Sequence, residues 1–284
     1  MDDERFIALY RIVHLLSPPR AKRCQYRDGD IVLIMLWAAL RHKPICWATD
    51  PRNAPRILRG RPIPSRTVVG RRADSPGVEA LIHELIKHLQ ARLLVGYLVG
   101  CWKIDAKGFA VSRYSKDRHA RWGYCREGKA RGYKLFLLTD THDVPIAWRV
   151  EAMNVAESTV ARELIEAIEA PGYLLGDSAY DANALYEQAA AKQVQLIAPR
   201  KQPEKPIGKR ARSASRMHAI AMLETPLDTF GRSLYQRRTD IERTFARWSA
   251  SAVGLDHLPG WVRTPRRVRR WINAKICLAL AIGF

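Results

Sequence analysis

Near residue 99 the hydrophobic pattern of this chain changes period, so neither an all-helical nor an all-strand fold accommodates it. Upstream, apolar residues recur every three or four positions. Phe6, Leu9, Tyr10, Val13 and Leu16 share a helical stripe that ends at Pro18-Pro19. Residues 31–41 read as a second, well-buried helix and residues 80–94 as a longer one. Between these lies a loop rich in Pro, Arg and Asn, residues 51–64. Ser65 is then placed to cap a short basic helix over residues 66–72. That segment reads either as the second helix of a helix-turn-helix, with its arginines on DNA, or as a solvated basic turn. Its spacing does not separate the two.

Downstream, strands dominate first. Residues 99–112 read as a strand, residues 114–129 as a basic polar loop, and residues 132–139 and 144–150 as two further strands. Asp140-Thr141-His142-Asp143 is a hairpin turn between the last two. Helix and strand then alternate: a helix over 157–169, a strand over 172–176, a helix over 181–192 and a strand over 194–198. A three-strand meander followed by this alternation predicts an α/β fold, a mixed five-stranded sheet flanked by helices. A small helical region, residues 1–95, precedes it, and residues 96–284 form the second domain. A long helix over 234–250 and an apolar helix over 271–281 complete the chain.

Lys and Arg total 48 against 28 Asp and Glu, giving a formal net charge of +20 and a pI near 10.2. Such a balance favours a polyanionic partner, with nucleic acid ahead of a membrane surface or an acidic protein. Charge concentrates in residues 199–217, where Arg200, Lys201, Lys205, Lys209, Arg210, Arg212 and Arg216 face one acid, Glu204. This stretch is expected to be a mobile linker that packs no core and, near DNA, holds phosphates. The cysteines Cys24, Cys46, Cys101, Cys125 and Cys277 are scattered and lack CxxC spacing, so neither a zinc site nor a disulfide framework is expected. The start Met1-Asp2-Asp3-Glu4-Arg5 is acidic where a secretory leader is basic. Apolar runs reach about half the roughly 20 residues of a membrane span. A cytoplasmic protein with no membrane partner is the expectation.

Against this basic background, three acids stand out. Asp105 follows Trp102-Lys103-Ile104 in a predicted central strand, where an unpaired carboxylate is costly. Asp177 ends Tyr173-Leu174-Leu175-Gly176. It could cap the turn that follows, but Asp181 is better placed to cap the next helix. Glu242 belongs with Tyr235 and Arg238: the three follow one another at steps of three and then four positions, on one predicted helical stripe. Ile241, Phe245 and Trp248 form the neighbouring core stripe. Taken alone, Arg238 and Glu242 are a surface ion pair worth about 0.3–0.5 kcal/mol.

Together, Asp105, Gly176-Asp177-Ser178-Ala179-Tyr180-Asp181 and Tyr235-x-x-Arg238-x-x-x-Glu242 resemble the bacterial insertion-sequence DDE transposases. Lys129-Ala130-Arg131-Gly132-Tyr133-Lys134-Leu135, followed by Asp140, is similar to the family's second-strand region. The resemblance covers about residues 99–250 and implies a ribonuclease H-like fold. In that fold the first aspartate lies on the first strand, the second follows the fourth strand, and the glutamate lies on a later helix. The basic stretch near 199–233 falls where such enzymes carry an insertion. Ser249 stands where the family signature usually carries lysine, with Arg247 nearby.

The resemblance implies a DNA transposase that cuts insertion-sequence ends and joins them to target DNA. It implies two Mg²⁺ or Mn²⁺ ions, Asp105 bridging them and Asp177 and Glu242 holding one each. Tyr235, Arg238, Lys134, Lys129 and Arg243 are candidates to contact DNA, and a homodimer on paired terminal inverted repeats is implied. Two other readings stay open: a catalytically silent DNA-binding derivative of a transposase, and a ribonuclease H-like nuclease that does not transpose. A small-molecule enzyme explains neither the charge nor the basic linker.

Overall fold

The computed structural model describes residues 2–19, 24–94, 100–125, 128–207, 213–226 and 229–282. It divides into two compact units, residues 1–93 with 248–284, and residues 94–247.

In the first unit, α1 (Asp2–Leu16) and α2 (Asp28–Leu40) are followed by the short α3 (Ile45–Ala48) and α4 (Arg66–Arg72), then by α5 (Pro76–Ala91). Every residue of α2 from Ile31 to Leu40 is buried, as expected of a helix that is apolar on all sides. The Ser65 hydroxyl accepts from the Val68 N–H at 3.4 Å and caps α4. Arg72 reaches back to Asp28 in the first turn of α2, at 2.7 Å.

The second unit opens with β1 (Gly100–Ala110), β2 (Arg121–Cys125), β3 (Gly128–Thr139) and β4 (Pro145–Ala152), then α6 (Glu157–Ile165), β5 (Gly172–Leu175), α7 (Asn183–Ala191) and β6 (Val194–Ile197). The sheet is six-stranded, in the order β2-β3-β1-β5-β6, with β4 also on β3. Antiparallel pairing joins β1, β2 and β4 to β3, while β5 and β6 continue from β1 in parallel. Gly132 pairs with both Ala110 and Arg121, so β2 lies on the β3 edge opposite β1, end to end with β4. This mixed sheet, with helices on its faces, follows the ribonuclease H-like plan.

One core lies between the sheet and α6–α7, built from Trp102, Ile104, Phe136, Leu138, Leu164 and Leu196 among others. The opposite face carries Cys101, Leu175 and Ile197 under Met222. Met222 belongs to α8 (Ala214–Glu224), which is followed by α9 (Thr229–Gln236) and α10 (Thr239–Ala250). The chain ends with α11 (Pro265–Ile282), which packs against α2 and α5 in the first unit. The C-terminal residues counted with the sheet domain on sequence grounds therefore group with the N-terminal helices.

Three expectations need correction. Residues 121–125 form β2 instead of loop: their inner face is small, so polarity hid a strand that packs closely. A Cβ on Gly123 would lie 2.2 Å from the Met153 carbonyl oxygen, and one on Gly108 would lie 2.5 Å from the Cys125 Cβ. The basic stretch is not linker throughout: its residues 214–217 begin α8, whose buried face follows at Ala219, Ile220 and Met222. Of its cations, Lys209, Arg210 and Arg212 lie outside the described residues. Finally, the expected helix over 234–250 is two helices, α9 and α10. Arg237 and Arg238 lie in a turn between them, where Arg238 N–H bonds the Tyr235 carbonyl and Ile241 N–H the Arg238 carbonyl. These three-residue bonds tighten the chain out of α geometry.

Candidate active site

Strand register assembles the acids from the backbone outward. On β1 and β5, Lys103 pairs with Leu175 in parallel. Asp105 and Asp177 each stand two residues further on, Asp105 within β1 and Asp177 just past the carboxyl end of β5. There β1 has an antiparallel neighbour on one side and a parallel one on the other, the crevice where α/β sheets hold ligands. Asp105 sits opposite Leu137 in β3 and accepts the Ala106 N–H at 2.8 Å. Burial pushes its carboxyl up to about 7; the Ala106 N–H opposes this, the Asp177 charge adds to it, and Arg238 lowers it.

Asp177 accepts the Ala179 N–H at 2.8 Å and caps the 3₁₀ turn Ser178–Tyr180. The expected division of labour is thus reversed. Asp181 caps no helix; it holds Arg216 by two bonds of 2.7 and 2.8 Å and accepts the Lys201 N–H. Arg200 is likewise bonded to Glu224 at 2.5 Å. Two arginines of the basic stretch therefore fasten α8 and its lead-in to the sheet.

Tyr235, at the end of α9, packs against the cluster of Cys101 and Leu175, and its hydroxyl donates to the Gly176 carbonyl at 3.3 Å. Burial raises its pKa, with Arg238 acting in the opposite direction. Arg238 donates to Glu242 Oε1 at 2.5 Å. The break before α10 removes the single stripe read from the sequence, yet Tyr235, Arg238 and Glu242 still converge electrostatically with Asp105. Ile241, Phe245 and Trp248 are buried, as the core stripe predicted. Among the described residues, no three His, Cys, Asp or Glu side chains come together closely enough to hold a metal ion.

A family profile described as the transposase DDE domain matches residues 103–281, well over half of the chain. This chain belongs to the transposase DDE domain family. It is also similar to the probable transposase for insertion sequence element ISH11 of Halobacterium salinarum. Proteins from strains R1 and NRC-1 each share 24% identity with it over 230 residues, 78% of this chain and 67% of theirs.

Around the aspartates of this transposase lie groups that sequence reading passed over. Glu157, at the start of α6, holds Lys134 at 3.0 Å and contributes to the upward shift of Asp105. An acid in a helix's first turn is so common that it carried no signal. Tyr180 is buried, and its hydroxyl has no hydrogen-bond partner. Its pKa is raised by burial first and then by the charges of Glu157, Asp105 and Asp177.

The expected DNA contacts of the transposase divide. Lys134 is engaged by Glu157. Arg243 is exposed and bonded to Asp240 at 2.8 Å. Lys129 is exposed on β3 beside Tyr124 of β2, with Trp122 two residues away, 56% exposed. At the position of the family lysine, the Ser249 hydroxyl donates to the Leu255 carbonyl at 3.2 Å, while Arg247 reaches Thr244 and Asp143. Among the described residues, no helix is long and apolar enough to cross a membrane.

Proposed function

We propose that this transposase cuts DNA at the ends of an insertion sequence and transfers the resulting 3′-hydroxyl to target DNA. The observation that carries the reading is the nearness of Asp105 and Asp177, each two residues beyond the paired Lys103 and Leu175 at the switch point of the sheet. Membership of the DDE family supports the reaction class, and the +20 charge supports a DNA partner.

Asp105 and Asp177 fit a hard divalent cation such as Mg²⁺ or Mn²⁺: they offer carboxylate oxygens, and their mutual repulsion is relieved by a cation. The unpartnered Tyr180 hydroxyl beside them leaves a donor for a water or phosphate oxygen in the same space. Glu242 would join them as the third ligand by exchanging Arg238 for the ion, which releases the guanidinium. Two such cations, when bound, neutralise the scissile phosphate and acidify the attacking water.

In this reading, water attacks phosphorus at the element end, the P–O3′ bond breaks and a 3′-hydroxyl is left. That hydroxyl then attacks a target phosphate, forming one P–O bond as another breaks. Arg238, once released, holds a phosphate oxygen beside Tyr235, with Lys129 and Arg243 on the flanking backbone. Pairing of two terminal inverted repeats by a homodimer belongs to the same reading.

The second reading, a catalytically silent DNA-binding protein, draws on the bond of Glu242 to Arg238 and on the lack of a three-acid cluster among the described residues. Incubation with supercoiled plasmid and Mg²⁺ separates the two. Nicking that disappears in Asp105→Ala, with DNA binding retained, supports the enzyme. Nicking that survives the substitution removes Asp105 from the reaction, and absence of nicking by the wild-type chain favours the silent protein.

A further inference from the structure

We infer that Lys103 is a positioning residue that sets the place of Glu242 through the turn between β3 and β4, an inference that rests on the reading of Glu242 as a metal ligand. Asp105 lies within β1 and Asp177 just past β5, so the sheet places both. Glu242 has no such support. It stands on α10, which starts after the break at Arg237 and Arg238. A polar hub at residues 140–143 ties that helix to the sheet.

The turn is first closed on itself. Asp140 is fully buried, and its Oδ1 accepts the N–H groups of His142 at 2.9 Å and Val144 at 2.7 Å. Asp143 lies in the left-handed region, at φ 66°, which aspartate tolerates better than most side chains. From one side β1 grips the turn. The Cys101 N–H donates to the Thr141 hydroxyl at 2.9 Å. The Lys103 ammonium donates to Asp143 Oδ1 at 2.5 Å and to the Thr141 carbonyl at 3.4 Å. From the other side α10 grips it by both ends. Arg237, just ahead of the helix, donates to the same Thr141 carbonyl at 3.2 Å. Arg247, in the last turn, pairs with the same Asp143 at 3.5 Å.

Both acceptors of Lys103 are thus shared with the two arginines that flank Glu242 in the chain. Lys103 is fully buried, where a charge is costly unless it is paired and hydrogen-bonded. An apolar side chain fills such a place without that cost, so the ammonium answers to the turn. Lys103 also stands two residues before Asp105, on the same face of the same strand. One strand therefore places the first acid directly and the third through the hub.

The test follows Mg²⁺ binding to the DNA-free, full-length chain by the rise of its melting temperature across a Mg²⁺ titration. Removing a group that orients a metal ligand costs about 10–100-fold in affinity. Lys103→Met and Arg237→Gln are each expected to raise the Mg²⁺ midpoint about tenfold. In a Glu242→Gln background, whose own midpoint is raised, neither should raise it further. The direction separates positioning from charge, because loss of a nearby cation alone strengthens Mg²⁺ binding and lowers the midpoint. Arg237→Gln changes a side chain that is 44% exposed, and it decides the case if Lys103→Met does not fold. An unchanged or lowered midpoint in either single variant, or a rise that persists in the Glu242→Gln background, overturns the inference and leaves Glu242 as a ligand. If Glu242→Gln itself leaves the midpoint unmoved, Glu242 holds no metal, and its metal role and the inference fall together.

Discussion

Asp105, within β1, and Asp177, just past the end of the parallel neighbour β5, each stand two residues beyond the pair Lys103–Leu175. Neighbouring strands lie about 4.8 Å apart. The Asp105 charge is disfavoured there: burial pushes its carboxyl up to about 7, and the Asp177 charge adds to the shift.

Removing that charge should stabilise the metal-free protein. Asp105→Asn is expected to raise the melting temperature in EDTA by about 2–4 °C, the equivalent of about 1 kcal/mol for a chain of this size. Added Mg²⁺ should stabilise the wild-type protein, by about 2.7 kcal/mol at a hundredfold excess over its dissociation constant, and should leave the variant unmoved. Thermal melts of both proteins with and without Mg²⁺ check this. An equal Mg²⁺ response would remove Asp105 from the metal.

Arg238 is bonded to Glu242 at 2.5 Å. The exchange proposed above makes Arg238 available to phosphate only when a metal takes Glu242. Arg238→Ala should therefore lower the slope of log affinity against log salt by about 1 when Ca²⁺ supports binding, and by much less in EDTA. Titrations of duplex DNA at several salt concentrations measure both slopes. A slope loss that is the same in the two conditions would separate Arg238 from the metal.

Asp181 is only 3% exposed and meets Arg216 through two bonds. Asp181→Ala strands the guanidinium and frees the lead-in to α8, with an expected cost of about 2–4 kcal/mol. Denaturant titration reads this as a lower midpoint. An unchanged midpoint would show that the pair is energetically idle.

Lys275 in α11 is fully buried and donates to the Ala39 carbonyl at 2.7 Å, beside His42 and over the Trp271 ring. No carboxylate among the described residues reaches it, and burial pulls its pKa down to about 7. The unfolded chain keeps that proton to about 10.4. Between pH 7 and 10 the unfolded state therefore binds more protons, and this group makes stability rise with pH. Below pH 7 both states are charged and the burial cost is at its full value. Lys275→Met should flatten the rise and stabilise the protein at pH 6, by on the order of 1–4 kcal/mol. Chemical denaturation from pH 6 to 10 gives the two profiles, and parallel profiles would refute the assignment.

Much of the fold was legible because it is written in local pattern. The run from Ile31 to Leu40 announces a buried helix, Ser65 caps α4, and the alternation after residue 144 yields β5, α7 and β6. β2 escaped detection because Gly123, Cys125, Gly128 and Ala130 make its pairing with β3 possible by being small, and small residues leave no hydrophobic signal. Glu157 escaped because an acid at a helix start has an ordinary explanation. The roles of Asp177 and Asp181 were exchanged because Arg216, which claims Asp181, lies 35 residues away.

By itself, the sequence singled out three acids within a strongly basic chain, each with a recognisable neighbourhood. It also determined the order of the elements that deliver them, since periodicity and caps act over a few residues. Only the tertiary structure decided that Asp177 lies near Asp105, that Glu242 is bonded to Arg238 at a break between helices, and that the charge of Glu157 reaches Asp105. Those facts depend on strand pairing, on burial and on charges brought together from distant parts of the chain, and no local pattern encodes the low dielectric that holds the Asp105 carboxyl near 7.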